Sequence, residues 1–219
     1  MARLTSIELD VAGETVVLRG DRSLFWPRER ALVVADVHVG KTESLRSDGV
    51  AVPDGAMFDD LVRLSAAIED TSAERVIVIG DLIHDARGLT PVVREFVAQW
   101  RRTCPCRLDL VLGNHDRRVR QLPDEWDMHV HDPCLSIGAL TFCHDLAIRG
   151  TYTLVGHVHP AIHVSGGGDG MKVPCFHIGI ASMTLPAFST LTAGVAVHLE
   201  PGERAVAAVQ GYVVPLGRV

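Results

Sequence analysis

The chain has 219 residues, 47% of them hydrophobic, which is enough apolar material for a single domain spanning 1–219. With 21 basic against 27 acidic residues its formal charge is −6, which excludes a surface coated in basic side chains but leaves room for a local basic track. No apolar run reaches the roughly 18 residues of a membrane span, and the first six residues have no signal-peptide core, so the expectation is a soluble cytoplasmic protein with no membrane contact.

In chain order, residues 6–11 and 15–19 alternate apolar and polar around Ala12-Gly13-Glu14, the pattern of a hairpin. Leu24-Phe25-Trp26-Pro27 leads to a buried-type strand over 31–35. The spacing of Met57, Leu61, Leu64 and Ile68 predicts a helix over 57–70, and the β-branched run 75–79 predicts a strand. A second helix is expected over 91–100, with Pro91 in its first turn, followed by a strand over 107–112. Short strands are expected at 134–137, 140–143, 152–155, 162–164, 173–178 and 194–199. Between them, residues 165–170 (Ser-Gly-Gly-Gly-Asp-Gly) read as a flexible loop, because strands continue on both sides. Strand and helix alternate in the first half and strands dominate the second. That predicts two packed sheets flanked by helices, with parallel strands in the first half.

Five cysteines are an odd number in a chain that needs no stapling. Cys104-Pro105-Cys106 is one residue too close for a zinc knuckle and has no partner pair, so reduced thiols are expected.

The placement of acidic, amide and imidazole groups is more informative. Apolar runs end in Asp36-Val37-His38, in Gly80-Asp81, in Gly113-Asn114-His115-Asp116, in His144 and in Gly156-His157-Val158-His159. The carboxyl ends of strands form the ligand crevice of an α/β sheet, so five runs deliver these groups to one edge. Asp-x-His alone is common by chance, Gly-Asn-His-Asp could merely cap a helix, and Gly-His-x-His could be a packed strand end. Their joint occurrence in this order makes the coincidence untenable. Oxygen and imidazole donors without thiolate suit manganese, iron or zinc. Seven such ligands exceed the needs of one ion but suit two, about 3.5–4 Å apart and sharing a carboxylate. Such a pair polarises a phosphoryl oxygen and supplies hydroxide at neutral pH.

The ordered set resembles the calcineurin-like metallophosphoesterase superfamily. That resemblance implies a four-layer, double-sheet α/β sandwich with flanking helices and a dinuclear centre at the strand ends. One divalent ion, manganese first and iron or zinc as alternatives, would be held by Asp36, His38, Asp81 and His159. The other would be held by Asp81, Asn114, His144 and His157, with Asp81 as the bridge. His115 is implied as general acid or transition-state stabiliser, and Asp116 as the group that orients its ring. Ser23-Leu24-Phe25-Trp26-Pro27, Ala35-Asp36-Val37-His38-Val39-Gly40-Lys41, Pro174-Cys175-Phe176 and Leu185-Pro186-Ala187-Phe188 are similar to a bacterial subgroup, the ligase-associated DNA-repair phosphodiesterases or endonucleases called PdeM. This narrower resemblance implies a nucleic acid substrate and DNA-repair ligase or helicase proteins as partners. Two positions depart from the pattern: Asp145 and Ser189 stand where glycine is usual.

Other residues have weaker claims. His84, three residues after Asp81, could reach substrate phosphate or bond a loop carbonyl. Lys41 and Arg46 could contact phosphate, though solvated charge is the commoner role. Arg117, Arg118 and Arg120 leave directly from the Asn114-His115 turn and are candidates for a phosphate track, with single-stranded DNA the favoured substrate. His129, His131, His163, His177 and His198 lie in strand-like segments away from the motifs, where packing is the default, and Trp26, Trp100 and Trp126 read as core or edge residues. Rival readings are a hydrolase of nucleotide or sugar-nucleotide phosphoesters or pyrophosphates, and a non-catalytic scaffold of the same fold. The first usually carries a helical lid, for which no insertion is long enough, and the second loses ligands that are all present here.

Overall fold

The structure, a computed structural model, describes residues 4–52, 55–119, 121–166 and 169–216. The first half builds a seven-stranded sheet from β1 (Ser6–Val11), β2 (Glu14–Arg19), β3 (Leu24–Trp26), β4 (Ala31–Val34), β5 (Arg75–Ile79), β6 (Arg107–Val111) and β7 (His129–His131), in that spatial order. β1 to β4 pair antiparallel and β4 to β7 parallel. Helices α1 (Lys41–Ser47), α2 (Ala56–Thr71) and α3 (Pro91–Thr103) are inserted between the parallel strands. α3 starts where its sequence directs. The Thr90 side chain accepts from the Val93 N–H at 3.3 Å, and Pro91 takes the first helical position, where its missing N–H costs nothing.

The second half builds the other sheet from β8 (Cys134–Ile137), β9 (Leu140–Cys143), β10 (Tyr152–Val155), β11 (Pro160–Gly166), β12 (Asp169–Ile178), β13 (Ser182–Thr184) and β14 (Val195–Ala196), in the order β14-β11-β12-β13-β10-β9-β8. The hairpin of β15 (Arg204–Val209) and β16 (Tyr212–Leu216) adds to β12.

The central strands are apolar on both faces, and alternation assigns each face to a different core. On β4 and β5, Leu32, Val34, Val76 and Val78 pack under the helices with Leu61, Leu64, Val93 and Val97. Their neighbours Ala31, Val33, Ile77 and Ile79 face the second sheet and meet Leu140, Phe142, Leu154, Phe176 and Met183. Each of these side chains larger than alanine contributes roughly 1.5–3 kcal/mol by leaving water, which holds the two sheets together. The double-sheet α/β sandwich is as expected. Among the described residues all three α-helices lie on the first sheet, so no helical layer covers the second.

Several local expectations change. α1 and the β15–β16 hairpin are additional elements, and the strand expected over 194–199 shrinks to Val195–Ala196. The loop expected over 165–170 is largely a hairpin end, since β11 runs to Gly166 and β12 begins at Asp169; residues 167–168 lie outside the described residues. The cysteines are not all thiols. The β8–β9 register sets Cys134 opposite Cys143 with Cα atoms 4.5 Å apart, and a disulfide joins them. Cys104, Cys106 and Cys175 are free and buried. Trp26 and Trp126 are fully buried, and His131 and His177 pair with Asp109 and Glu203 rather than with the strand-end cluster.

Candidate metal centre

All five motif-bearing strands end at the same edge. Asp36 and His38 follow β4, Asp81 follows β5, Asn114 and His115 follow β6, His144 follows β9, and His157 and His159 follow β10. The first three turns belong to one sheet and the last two to the other, so the site spans the seam of the sandwich. Backbone bonds lock the turns together. Asp36 N–H donates to Gly80 O at 3.1 Å, His38 N–H to Asp81 O at 2.9 Å, and Val39 N–H to Leu82 O at 2.7 Å. The carboxylates bind across turns as well: Asp36 Oδ2 accepts the His157 N–H at 3.1 Å and Asp81 Oδ1 accepts the His115 N–H at 2.9 Å.

Two glycines make this approach possible. A methyl group on Gly80 (φ +70°) would lie 2.2 Å from His144 Nδ1, and one on Gly113 would lie 2.1 Å from Asp81 Oδ1. The cluster residues themselves are strained: Asp36 (φ 56°), His38 (53°), Asp81 (49°), His157 (66°) and His159 (51°) are all left-handed. Each costs roughly 1–2 kcal/mol, which the surrounding hydrogen bonds must offset.

The side chains form two groups. In the first, His159 Nε2 lies 3.2 Å from Asp36 Oδ1 and 3.4 Å from His38 Nε2. In the second, His144 Nε2 lies 3.4 Å from Asp81 Oδ2, 3.3 Å from His157 Nδ1 and 3.2 Å from Asn114 Oδ1. Within each group, Asp36-His38-His159 and Asp81-His144-His157, the potential ligand atoms all lie within 4.8 Å of one another. His144 donates Nδ1–H to Ile79 O at 3.1 Å, which frees Nε2 to act as a lone-pair donor. His38 Nδ1, by contrast, is buried with no hydrogen-bond partner among the described residues. Two imidazole nitrogens facing one another beside a carboxylate, repeated twice and without thiolate, fit divalent metal better than they fit one another.

Electrostatics agree. Burial pushes the Asp36 carboxyl up, and the hydrogen bond from His159 only partly opposes it. Burial also drives His38 down to about 2, helped by the charge of Lys41, so its ring is neutral as a ligand must be. Burial disfavours charge on Asp81 and His144 too, but their mutual hydrogen bond wins. Asp81 is held at about 2 and His144 raised to about 9.

The residues around the cluster revise three expectations. Asp116 does not orient the ring of His115. Its buried carboxylate accepts from the backbone N–H groups of Ile83 (2.9 Å), Gly113 (3.0 Å) and Leu82 (3.3 Å), tying the turn after β5 to the turn after β6. The ring is oriented instead by the backbone carbonyl of His84, which accepts from His115 Nδ1, and the His84 ring stacks on that of His115 at 5.2 Å. His115 Nε2 then faces the cluster, 3.8 Å from Asp81 Oδ2. Arg117 is not a free cation, because its guanidinium pairs with Asp132 at 2.8 Å. Arg118 is exposed and Arg120 lies outside the described residues. Lys41 is half-buried rather than solvated, and its Nζ donates to Thr192 Oγ1 at 3.0 Å.

The segment after β13 completes the wall. Phe188 N–H donates to Ala35 O at 2.8 Å, Ser189 N–H to Asp36 O at 3.2 Å and Val195 N–H to His159 O at 2.9 Å. Arg63, lying 4.2 Å above the Phe188 ring, and Asp60, which accepts the Thr190 N–H at 3.2 Å, clamp it from α2. Sequence reasoning flagged Leu185-Pro186-Ala187-Phe188 only by resemblance and assigned it no task.

The calcineurin-like phosphoesterase family model matches residues 29–193, a span that contains every strand-end motif. The chain belongs to this family. It is a metal-dependent phosphoester hydrolase. Among solved structures it is similar to the Pseudomonas putida nuclease MPE, at 30% identity over 97% of this chain and 100% of that one, with a TM-score of 0.85. Weaker matches are the protein AQ665 of Aquifex aeolicus (17% identity, 63% of this chain and 81% of that one, TM-score 0.41) and the E. coli phosphoesterase Yfce (11%, 84% and 96%, TM-score 0.42). No curated protein sequence matches the chain.

Proposed function

We propose that the chain hydrolyses phosphodiester bonds of nucleic acid at a pair of divalent ions, manganese foremost, and prefers single-stranded DNA. The observation that carries this reading is the meeting of two separate His-carboxylate groups at one sheet edge, one built on Asp36 and the other on Asp81. Asp36, His38, Asp81 and His159 would hold one ion, and Asp81, Asn114, His144 and His157 the other. When bound, such ions polarise the phosphoryl oxygens and lower the pKa of water.

The protein's own groups do the rest. Asn114 and His115 sit side by side on the turn after β6, so the phosphoryl group is met by an amide and an imidazole held by one backbone. His84 O holds the proton on His115 Nδ1, so in the doubly protonated ring Nε2–H is the group that gives its proton to the leaving alkoxide and returns to a lone pair. Asp116 positions His115 through the backbone of the two turns. Single strands are favoured because Asp36, His38, Asp81 and His144 are all buried. A flexible strand can present a phosphate to recessed ligands without the cost of deforming a duplex. The nuclease of similar fold and the subgroup motifs support polynucleotide as the substrate class and DNA repair as the setting.

The test is metal-stripped protein reloaded with Mn, Zn, Mg or Ca and assayed on single-stranded DNA, duplex DNA, RNA, nucleotides and a nitrophenyl phosphodiester. Manganese-dependent cleavage, faster on single strands, is expected. Rapid turnover of nucleotides with no polynucleotide cleavage would replace this reading with the small-substrate one. Asp81→Ala should lose activity and most metal, and full wild-type activity with one metal per chain would remove the dinuclear assignment.

A further inference from the structure

Lys41 is one of only two lysines in the chain, the other being Lys172. It stands at the start of α1, directly after the Asp36-Val37-His38 turn, with its N–H donating to His38 O at 3.1 Å. That turn of α1 cannot swing away. Gly40 packs so closely on Gly88 that a methyl group there would lie 2.6 Å from the Gly88 carbonyl, and the Ser44 hydroxyl donates to Asp85. On the opposite side, Thr192 lies in the segment stitched to Asp36 through Ser189 and to His159 through Val195. The Lys41 side chain bridges these two walls beside the Asp36-His38-His159 group.

The ammonium has an incomplete set of partners. Its bond to Thr192 Oγ1 accounts for one of three N–H donors, and among the described residues no carboxylate lies within ion-pairing distance of it. A half-buried cation left in this state recovers only part of its lost hydration, from Thr192 and from the charge of Asp36 at longer range. Most buried or half-buried arginines of the described chain do have a carboxylate, as Arg19, Arg63 and Arg75 show. The Thr192 hydroxyl, which accepts from Lys41, keeps its own O–H to donate. Lysine and threonine together therefore offer an anion two kinds of donor at one place. Asn114, His115 and the ligand groups already surround the reacting phosphoryl group, so the nearest anionic oxygen left for Lys41 belongs to the next phosphate of the strand.

We propose that Lys41, held by Thr192, binds a phosphate flanking the scissile one and makes the site selective for substrates with two phosphates in series. This rests on the nucleic acid reading above and names how that substrate is chosen. A charge-assisted hydrogen bond of this kind is worth about 10–100-fold in binding.

The test compares wild type, Lys41→Met, Lys41→Arg and Thr192→Val as metal-loaded proteins. The first readout is the ratio of kcat/KM for the thymidine dinucleotide pTpT over TpT and for TpTp over TpT. In wild type at least one ratio should exceed about 10, through KM; Lys41→Met should bring it near 1, Lys41→Arg should restore most of it, and Thr192→Val should lower it partway. The second readout is calorimetric affinity for thymidine 3′,5′-bisphosphate against the two thymidine monophosphates, which needs no turnover. Lys41→Met should erase the bisphosphate advantage and melt no lower than wild type, since it removes a poorly hydrated charge. A ratio and an affinity advantage that survive in Lys41→Met, or are absent in wild type, overturn the proposal. If no dinucleotide is cleaved but the affinity advantage is present and lost in Lys41→Met, the nucleic acid reading fails while the second phosphate subsite stands.

Discussion

Replacing Gly113 by alanine tests whether the site depends on the close approach of β6 to Asp81. The added methyl carbon would lie 2.1 Å from Asp81 Oδ1, 2.4 Å from Asp81 N and 2.9 Å from Asp81 Cγ, all inside the 3.0 Å that such carbons essentially never breach. None of these atoms belongs to a free chain end, because Asp81 Oδ1 is fixed by the His115 N–H and Asp81 O by the His38 N–H. The Gly113 backbone is not left-handed, so the entire effect is steric. Relief requires a movement of about 1 Å, and misplacing a catalytic group by that much costs roughly 10²-fold in rate. Overpacking should cost about 1–3 kcal/mol, or roughly 2–12 °C in melting temperature for a chain of this size. Gly13→Ala is the matched control: at φ +77° in the β1–β2 turn it meets nothing within 4 Å. That variant should lose about 1–2 kcal/mol through conformation alone and keep its rate. The assays are thermal melting, metal content by elemental analysis and kcat/KM on a nitrophenyl phosphodiester. A Gly113→Ala protein with wild-type metal content and kcat/KM would refute the argument that this glycine exists to admit Asp81.

Three further outcomes are expected. His115→Ala should keep its metal yet lose about 10²–10⁴-fold on esters with poor leaving groups and less on a nitrophenyl ester; equal losses would argue against proton transfer. Asp109, buried on β6, accepts from Arg75 (2.8 Å), Arg107 (2.8 Å) and His131 (2.6 Å), and although burial opposes its charge these partners hold it at about 2, below its ordinary 3.8. Its stabilisation is therefore complete above about pH 4 and lost as pH falls towards 2, so Asp109→Asn should melt roughly 6–20 °C below wild type near neutrality; a gap unchanged near pH 2 would contradict this. Thiol titration in denaturant without reductant should count the three cysteines Cys104, Cys106 and Cys175, and five after reduction, and opening the disulfide, whose cysteines are nine residues apart, should cost roughly 2–3 kcal/mol in melting experiments; five thiols in both titrations would remove the bridge.

How much of this was legible in the sequence follows from which contacts are local. That Asp36, His38, Asp81, Asn114, His144, His157 and His159 meet at one edge could be read because each ends an apolar run, and the ends of such runs share an edge once the strands pack. α1 was not legible, since Lys-Thr-Glu-Ser-Leu-Arg-Ser has no apolar face of helical spacing and is held by the loop containing Asp85 instead. The disulfide needs the β8–β9 register, which spacing alone does not supply. Asp116 departs from what the resemblance implies, because the turn points its carboxylate back at three backbone N–H groups and not at the His115 ring. Lys41 and Thr192 are separated by 151 residues, and only the folded tail reveals that they meet.

The strain in the cluster explains why these residue types stand where they do. A parallel strand that ends at a crevice must turn sharply to reach its crossover, and at five cluster positions the chain turns through the left-handed region. Aspartate and histidine tolerate that conformation better than most non-glycine residues, and they are also the hard and borderline donors that a phosphoryl-transfer metal site needs. Backbone geometry and ligand chemistry therefore select the same side chains. The cost is still real, and the offset is visible in the cross-turn bonds: Asp36 is tied to Gly80, His157 and Ser189, and Asp81 to His38 and His115. Because each of those bonds joins two different turns, neither carboxylate can relax alone. The seam between the sheets therefore holds these side chains together through the protein's own bonds.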